Sequence, residues 1–92
     1  MVTAFVMIQA QTDSIPECAQ KLSELEGISE VYSVAGDWDL IAIVRIKRYE
    51  DLAEVISNRV NKVEGVVETT THLAFRAFSQ HDLDAAFSLG LE

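Results

Sequence analysis

Two segments of this chain, thirty-eight residues apart, carry one pattern: Leu25-Glu26-Gly27-Ile28-x-Glu30 and Val63-Glu64-Gly65-Val66-x-Glu68. In each, an apolar residue leads to a glycine that suits a helix stop and then to a β-branched residue that suits a strand start. The same offset aligns Val2, Ala4, Val6 and Ile8 with Leu40, Ala42, Val44 and Ile46, and Cys18, Leu22 and Leu25 with Ile56, Val60 and Val63. Two copies of a βαβ unit leave few topologies open. They predict an α+β fold, the ferredoxin-like βαββαβ sandwich, with both helices on one face of a four-stranded antiparallel sheet.

Local signals agree with that frame. Val2 to Ala10 reads as a strand that ends at the polar cluster Gln11-Thr12-Asp13. Ser14-Ile15-Pro16-Glu17 has the form of a capping box and predicts a helix start near Ser14. Ile15, Cys18, Ala19, Leu22 and Leu25 then share one helical face. Strands are expected from Ile28 to Ala35 and from Leu40 to Lys47, joined by the turn Gly36-Asp37-Trp38-Asp39. A second helix presents Leu52, Val55, Ile56, Val60 and Val63 on its apolar face, and a fourth strand runs from Val66 to Phe78. Residues 79–92 form a tail of the same domain, read as a short amphipathic helix with Ser79 as its cap and Gly90 after its end.

A sheet covered on one side alternates apolar with polar residues. These strands do not. Phe5 and Met7 lie opposite the Val2-Ala4-Val6-Ile8 row, and Ile41 and Ile43 lie opposite Leu40, Ala42 and Val44. The helix-free face is too apolar for water, and a second copy of the chain is the simplest cover, so a homodimer through the sheet is predicted.

Charge and composition remove several function classes. With 92 residues there is room for one domain, and a net charge of −8 argues against direct nucleic-acid binding, which draws on phosphate neutralisation. The first residues lack a basic leader and no apolar run is long enough for a membrane span, so the expectation is a cytoplasmic protein. Cys18, the single cysteine, falls on a core face, and His72 and His81 have no third partner for a triad or a metal site. Glu26, Glu30, Glu50, Asp51, Glu64 and Glu68 are scattered, and no glycine-rich phosphate loop occurs. No catalytic residue, metal or cofactor is expected.

Two polar features remain. Gly36-Asp37-Trp38-Asp39 can be a hairpin turn and nothing more, with Gly36 supplying the unusual backbone angles. The same geometry offers free amides to a carboxylate, while Asp37 or Asp39 can pair with an ammonium group. Thr69-Thr70-Thr71 suits a strand, and also supplies a row of hydroxyls.

From Val2 to Phe78 the chain resembles the effector-binding (RAM) domain of the Lrp/AsnC, or feast-famine, transcription regulators. The resemblance rests on Val34-Ala35-Gly36-Asp37-Trp38-Asp39-Leu40, close to V-x-G-x-W/Y-D-L, and on Gly65-Val66-Val67-Glu68-Thr69-Thr70-Thr71, close to G-V-x-x-T-x-T. Trp38 stands where that family usually has tyrosine. Full regulators of this type place a helix-turn-helix domain before the RAM domain, whereas this chain begins on its first strand, so it looks like a stand-alone RAM protein over residues 1–78. The resemblance implies dimers through the sheet faces, tetramers to octamers built from them, and amino acids held between dimers. Carried over by position, the ligand-binding residues are Gly36, Asp37, Trp38 and Asp39 of the turn, with Thr69 and Thr71 of the last strand. Output through a full-length Lrp/AsnC regulator is one implied route. Two other readings stand beside it: a small dimeric α/β-barrel enzyme such as a monooxygenase, and an oligomerisation module with no ligand.

Overall fold

The computed structural model describes residues 1–80. Four strands, β1 (Val2–Ala10), β2 (Ile28–Ser33), β3 (Leu40–Ile46) and β4 (Val66–Leu73), form one sheet in the order β2-β3-β1-β4. Every neighbouring pair is antiparallel. The helix α1 (Ile15–Ser23) crosses from β1 to β2, and a second helical segment between Tyr49 and Lys62 crosses from β3 to β4. This is the ferredoxin-like arrangement that the internal repeat demands.

The core lies between the sheet and the two helical crossovers. Ala4, Val6, Ile8 and Ala10 of β1 and Leu40, Ala42, Val44 and Ile46 of β3 meet Cys18 and Leu22 of α1 and Val55 and Val60 of the second segment. Each fully buried Val, Leu or Ile side chain contributes about 1.5–3 kcal/mol of transfer free energy. Both helices therefore occupy one face, as their apolar stripes require.

The repeat extends to individual hydrogen bonds. The Leu25 amide donates to the Leu22 carbonyl (3.1 Å) and Ile28 to Leu25 (3.2 Å); thirty-eight residues on, Val63 donates to Val60 (3.2 Å) and Val66 to Val63 (3.2 Å). Gly27 and Gly65 follow at φ +97° and +101°, angles that L side chains rarely adopt. The halves also interlock through these glycines. A Cβ on Gly27 would lie 2.9 Å from Val55 Cγ2, and one on Gly65 would lie 3.2 Å from Ser14 Oγ and 3.5 Å from Cys18 Cβ.

Four local expectations change. A single 3₁₀ turn, Thr12–Ser14, precedes α1, and the Ser14 hydroxyl donates to the Gln11 carbonyl (3.4 Å) instead of closing a capping box. The second crossover is not a plain α-helix: a 3₁₀ turn at Tyr49–Asp51, a π-helical stretch over Glu54–Arg59 and a further 3₁₀ turn at Val60–Lys62 make it up. In an α-helix, residues five apart differ by about 140° around the axis. The wider i→i+5 turn brings Val55 and Val60 to the same buried side, and Ile56, the repeat partner of Cys18, is only partly buried.

The ends of two strands also move. β2 stops at Ser33 because its last rung pairs with Leu40, after which the Val34 amide closes the hairpin on the Asp39 carbonyl (3.1 Å). β4 stops at Leu73, not Phe78, where its partner is nearly exhausted: Leu73 pairs with Ala4, and the last bond goes from the Ala74 amide to Thr3 (2.9 Å), one residue from the start of β1. Phe75 and Phe78 lie beyond any strand and are 98% and 83% exposed. The helix expected for the tail falls on residues after 80 and lies outside the described residues.

On the helix-free face Phe5 pairs with Ile43, and Met7 with Ile41, which pairs in turn with Tyr32. Ile43 is only 6% exposed there, while Phe5 and Tyr32 remain 40% and 50% exposed. The non-alternating strand pattern thus reports a real apolar face opposite the helices.

Candidate functional site

The hairpin between β2 and β3 lies at the sheet end where β1 finishes. The β1–β3 ladder ends at Ile8 and Leu40, yet β1 continues to Ala10. Asp39 fills that gap. Its amide donates to the Ile8 carbonyl (3.0 Å), its carbonyl accepts from Val34 (3.1 Å), and its carboxylate Oδ2 accepts from the buried Ala10 amide (2.9 Å). The Gln9 side-chain amide adds a bond to the Asp37 carbonyl (3.3 Å).

Gly36 takes φ +117° with nothing within 4 Å of where a Cβ would sit, so its requirement is conformational and not steric. Asp37 is exposed, and its carboxylate has no partner among the described residues; Trp38 and Asp39 are half-buried. The loop therefore presents one free carboxylate at its tip and an aromatic ring held partly against the fold.

The threonines sit at the same end, one strand away. Ile8 pairs with Leu40 on one side and Thr69 on the other, so two strand spacings, about 10 Å, separate the hairpin base from Thr69. Thr71 pairs with Val6, two residues further from that end. Both threonines share the helix-facing side of β4, and Thr69 Oγ1 makes a hydrogen bond with Asn61 Oδ1 (3.1 Å) of the second crossover. Thr70 and His72 point to the apolar face, opposite Met7 and Phe5.

One protomer thus gathers these groups at one end of the sheet. A cleft of about 480 Å³ lies at the opposite end of β3, beside Gly27, Ile46, Lys47 and Arg59, and another of about 320 Å³ opens beside Phe5, Arg45, Phe75 and Arg76. Neither contains any of the six positions.

Other chemistry is sparse. Cys18 is buried in the core, and desolvation pushes its thiol up from its ordinary value, with Lys21 pulling weakly the other way. Among the described residues no group of three His, Cys, Asp or Glu side chains gathers to hold a metal ion. His81 falls outside the described residues.

Sequence reasoning missed Gln9, Ala10 and Asn61, the residues that hold the loop and Thr69. Gln9 left a trace, as a polar residue on the otherwise apolar row of Phe5 and Met7. The Ala10 amide and the Asn61 contact left none, because both depend on how separate elements dock.

Residues 3–83 match the family model of the Lrp/AsnC ligand binding domain. The chain belongs to the Lrp/AsnC family. It is 33% identical over 76 residues to an uncharacterized HTH-type transcriptional regulator of Pyrococcus horikoshii, a match covering 79% of this chain and 51% of that one. The chain spans about half the length of the curated relatives it matches. A crystal structure of a Thermus thermophilus protein superposes with a TM-score of 0.81 at 41% identity, covering 87% of this chain and 100% of the other. A feast or famine regulatory protein from M. tuberculosis, solved in complex with L-methionine, superposes at 0.67 with 26% identity, over 87% of this chain and 54% of that one. Lrp/AsnC proteins are transcriptional regulators and not enzymes, which removes the monooxygenase reading.

Proposed function

We propose that this Lrp/AsnC domain is an effector-binding and assembly unit that takes up an amino acid between subunits and signals by changing its assembly. The observation that carries this reading is the hairpin end: the backbone amides around Gly36, a free carboxylate on Asp37, and Thr69 across β1, gathered at one end of the sheet in one protomer. The apolar sheet face of Phe5, Met7, Ile41, Ile43 and Tyr32 supports a homodimer as the first assembly step, and tetramers to octamers would bring loops together.

The amides from Gly36 to Trp38 would receive the effector's carboxylate, one of the two acids of the turn, Asp37 or Asp39, its ammonium, and Trp38 with Thr69 and Thr71 would bound the pocket between dimers. L-methionine in the M. tuberculosis relative supports an amino acid as the effector class. The Thermus thermophilus chain, matched over all of its length, supports a unit that works without a DNA-binding domain on the same chain. Output through a full-length Lrp/AsnC regulator in the cytoplasm is consistent with a surface of net charge −8, which does not suit DNA by itself. Residues 1–78 carry the binding unit in this reading, and 79–92 its tail.

A thermal-shift screen against the twenty amino acids tests the reading. Ligands that bind only the native state raise apparent stability by about 2.7 kcal/mol at one hundred times Kd. One or a few amino acids are expected to stabilise the protein, and a flat screen would favour a ligand-free oligomerisation module.

A further inference from the structure

Asp39 and Asp37 are two residues apart, yet the fold treats their carboxylates in opposite ways. Alternate residues of β1 turn their backbone groups toward β3, and the Ile8 carbonyl, which accepts from the Asp39 amide, fixes which ones they are. Two residues on, the Ala10 amide points the same way, past the last β1–β3 rung at Leu40. Ala10 is 7% exposed, so water does not serve this donor well. Asp39 Oδ2 does, at 2.9 Å. On the other edge of β1 the register shifts between Gln9 and Ala10, and Gln11 donates to the Gly65 carbonyl (2.8 Å) just before β4 begins. The three residues Gln9, Ala10 and Gln11 are therefore tied on both sides, to the hairpin and to the start of β4.

We infer that Asp39 is a positioning residue: its carboxylate extends the β1–β3 ladder by one side-chain rung, fixes the Gly36–Asp39 loop on the end of β1, and leaves Asp37 as the carboxylate that meets a cation. This departs from an equal role for the two acids in ammonium recognition. The part that concerns Asp37 rests on the amino-acid reading above, whereas the part that concerns Asp39 does not.

An asparagine at position 39 keeps an oxygen that can accept the Ala10 amide but loses the charge an ammonium would seek, and an alanine loses both. Amide hydrogen exchange followed by NMR, without ligand, is the primary readout. Asp39→Asn should retain the slow exchange of Ala10, and Asp39→Ala should lose at least about tenfold of it, the effect of one unmade bond to a charged acceptor. Unchanged Ala10 protection in Asp39→Ala overturns the inference. If that variant does not fold, Asp39→Asn still decides, because loss of Ala10 protection there overturns it too.

The same variants are then heated with each of the twenty amino acids. The expected result is that Asp39→Asn keeps the stabilisation seen in wild type and Asp37→Asn loses it. Loss in Asp39→Asn with Ala10 still protected would make Asp39 a ligand-contacting group and overturn the assignment. No stabilisation of wild type by any amino acid would end the amino-acid reading and the Asp37 assignment with it, leaving the exchange result to stand for Asp39.

Discussion

Among the described residues three glycines take positive φ, and their demands are unequal. Gly27 must adopt φ +97° and also leave room for Val55 Cγ2, whereas Gly36 adopts φ +117° in open space. Gly27→Ala should therefore cost about 3 kcal/mol, combining backbone strain and overpacking, and Gly36→Ala about 1 kcal/mol from strain alone. Urea denaturation of the two variants checks the ranking, and equal losses would contradict the packing account. Cys18 supplies a pH dependence. Burial raises its thiol above the ordinary 9.0, so the folded chain holds that proton more tightly than the unfolded chain does. The resulting stabilisation is complete below the unfolded value and is lost as pH rises through the folded one. Tyr32, whose hydroxyl donates to Glu30 (2.6 Å), is also raised, from 10.0, and acts with the same sign at higher pH. Denaturation midpoints should fall between about pH 8 and about pH 10.5, and Cys18→Ala should flatten the fall. A midpoint that rises over this range would contradict the assignment.

At the level of elements, the π-helical stretch explains where the internal repeat fails. Shifting by thirty-eight residues pairs Cys18 with Ile56, but the residue buried to 1% exposure is Val55, because the wide turn advances the helical face. Val55→Ala should cost about 2 kcal/mol in a denaturation experiment. A loss below about 0.5 kcal/mol, as for a surface position, would mean that Val55 does not face the core. The strands, their order and the glycine stops were legible in the sequence because each follows from a local pattern repeated twice. Strand ends were less so: β4 is shorter than its β-prone residues suggest because its pairing reaches Thr3, one residue from the start of β1. The hairpin was legible as a polar turn from Gly36 and its two aspartates. That Asp39 completes the β1 edge was not, since the bond spans twenty-nine residues and depends on where β3 begins.

For the molecule as a whole, the two sheet faces divide the work. The helix-facing side holds the core and orients Thr69 and Thr71, and the other side carries Phe5, Met7, Ile41 and Tyr32, the face proposed for a second copy. Ile41→Lys places a charge in the centre of that face without touching the core, so it should break a dimer while far-UV circular dichroism stays that of wild type. An unchanged mass would put the interface elsewhere. If the proposed function holds, assembly and ligand uptake are two readings of one equilibrium, because an effector held between subunits must bias their association. The most direct measurement is the molar mass of the purified protein by light scattering, with and without each amino acid that raises its melting temperature. We expect an even multiple of the 10.2 kDa chain that shifts to another multiple when the effector is added. A mass of one chain, unchanged by every amino acid, would contradict the account.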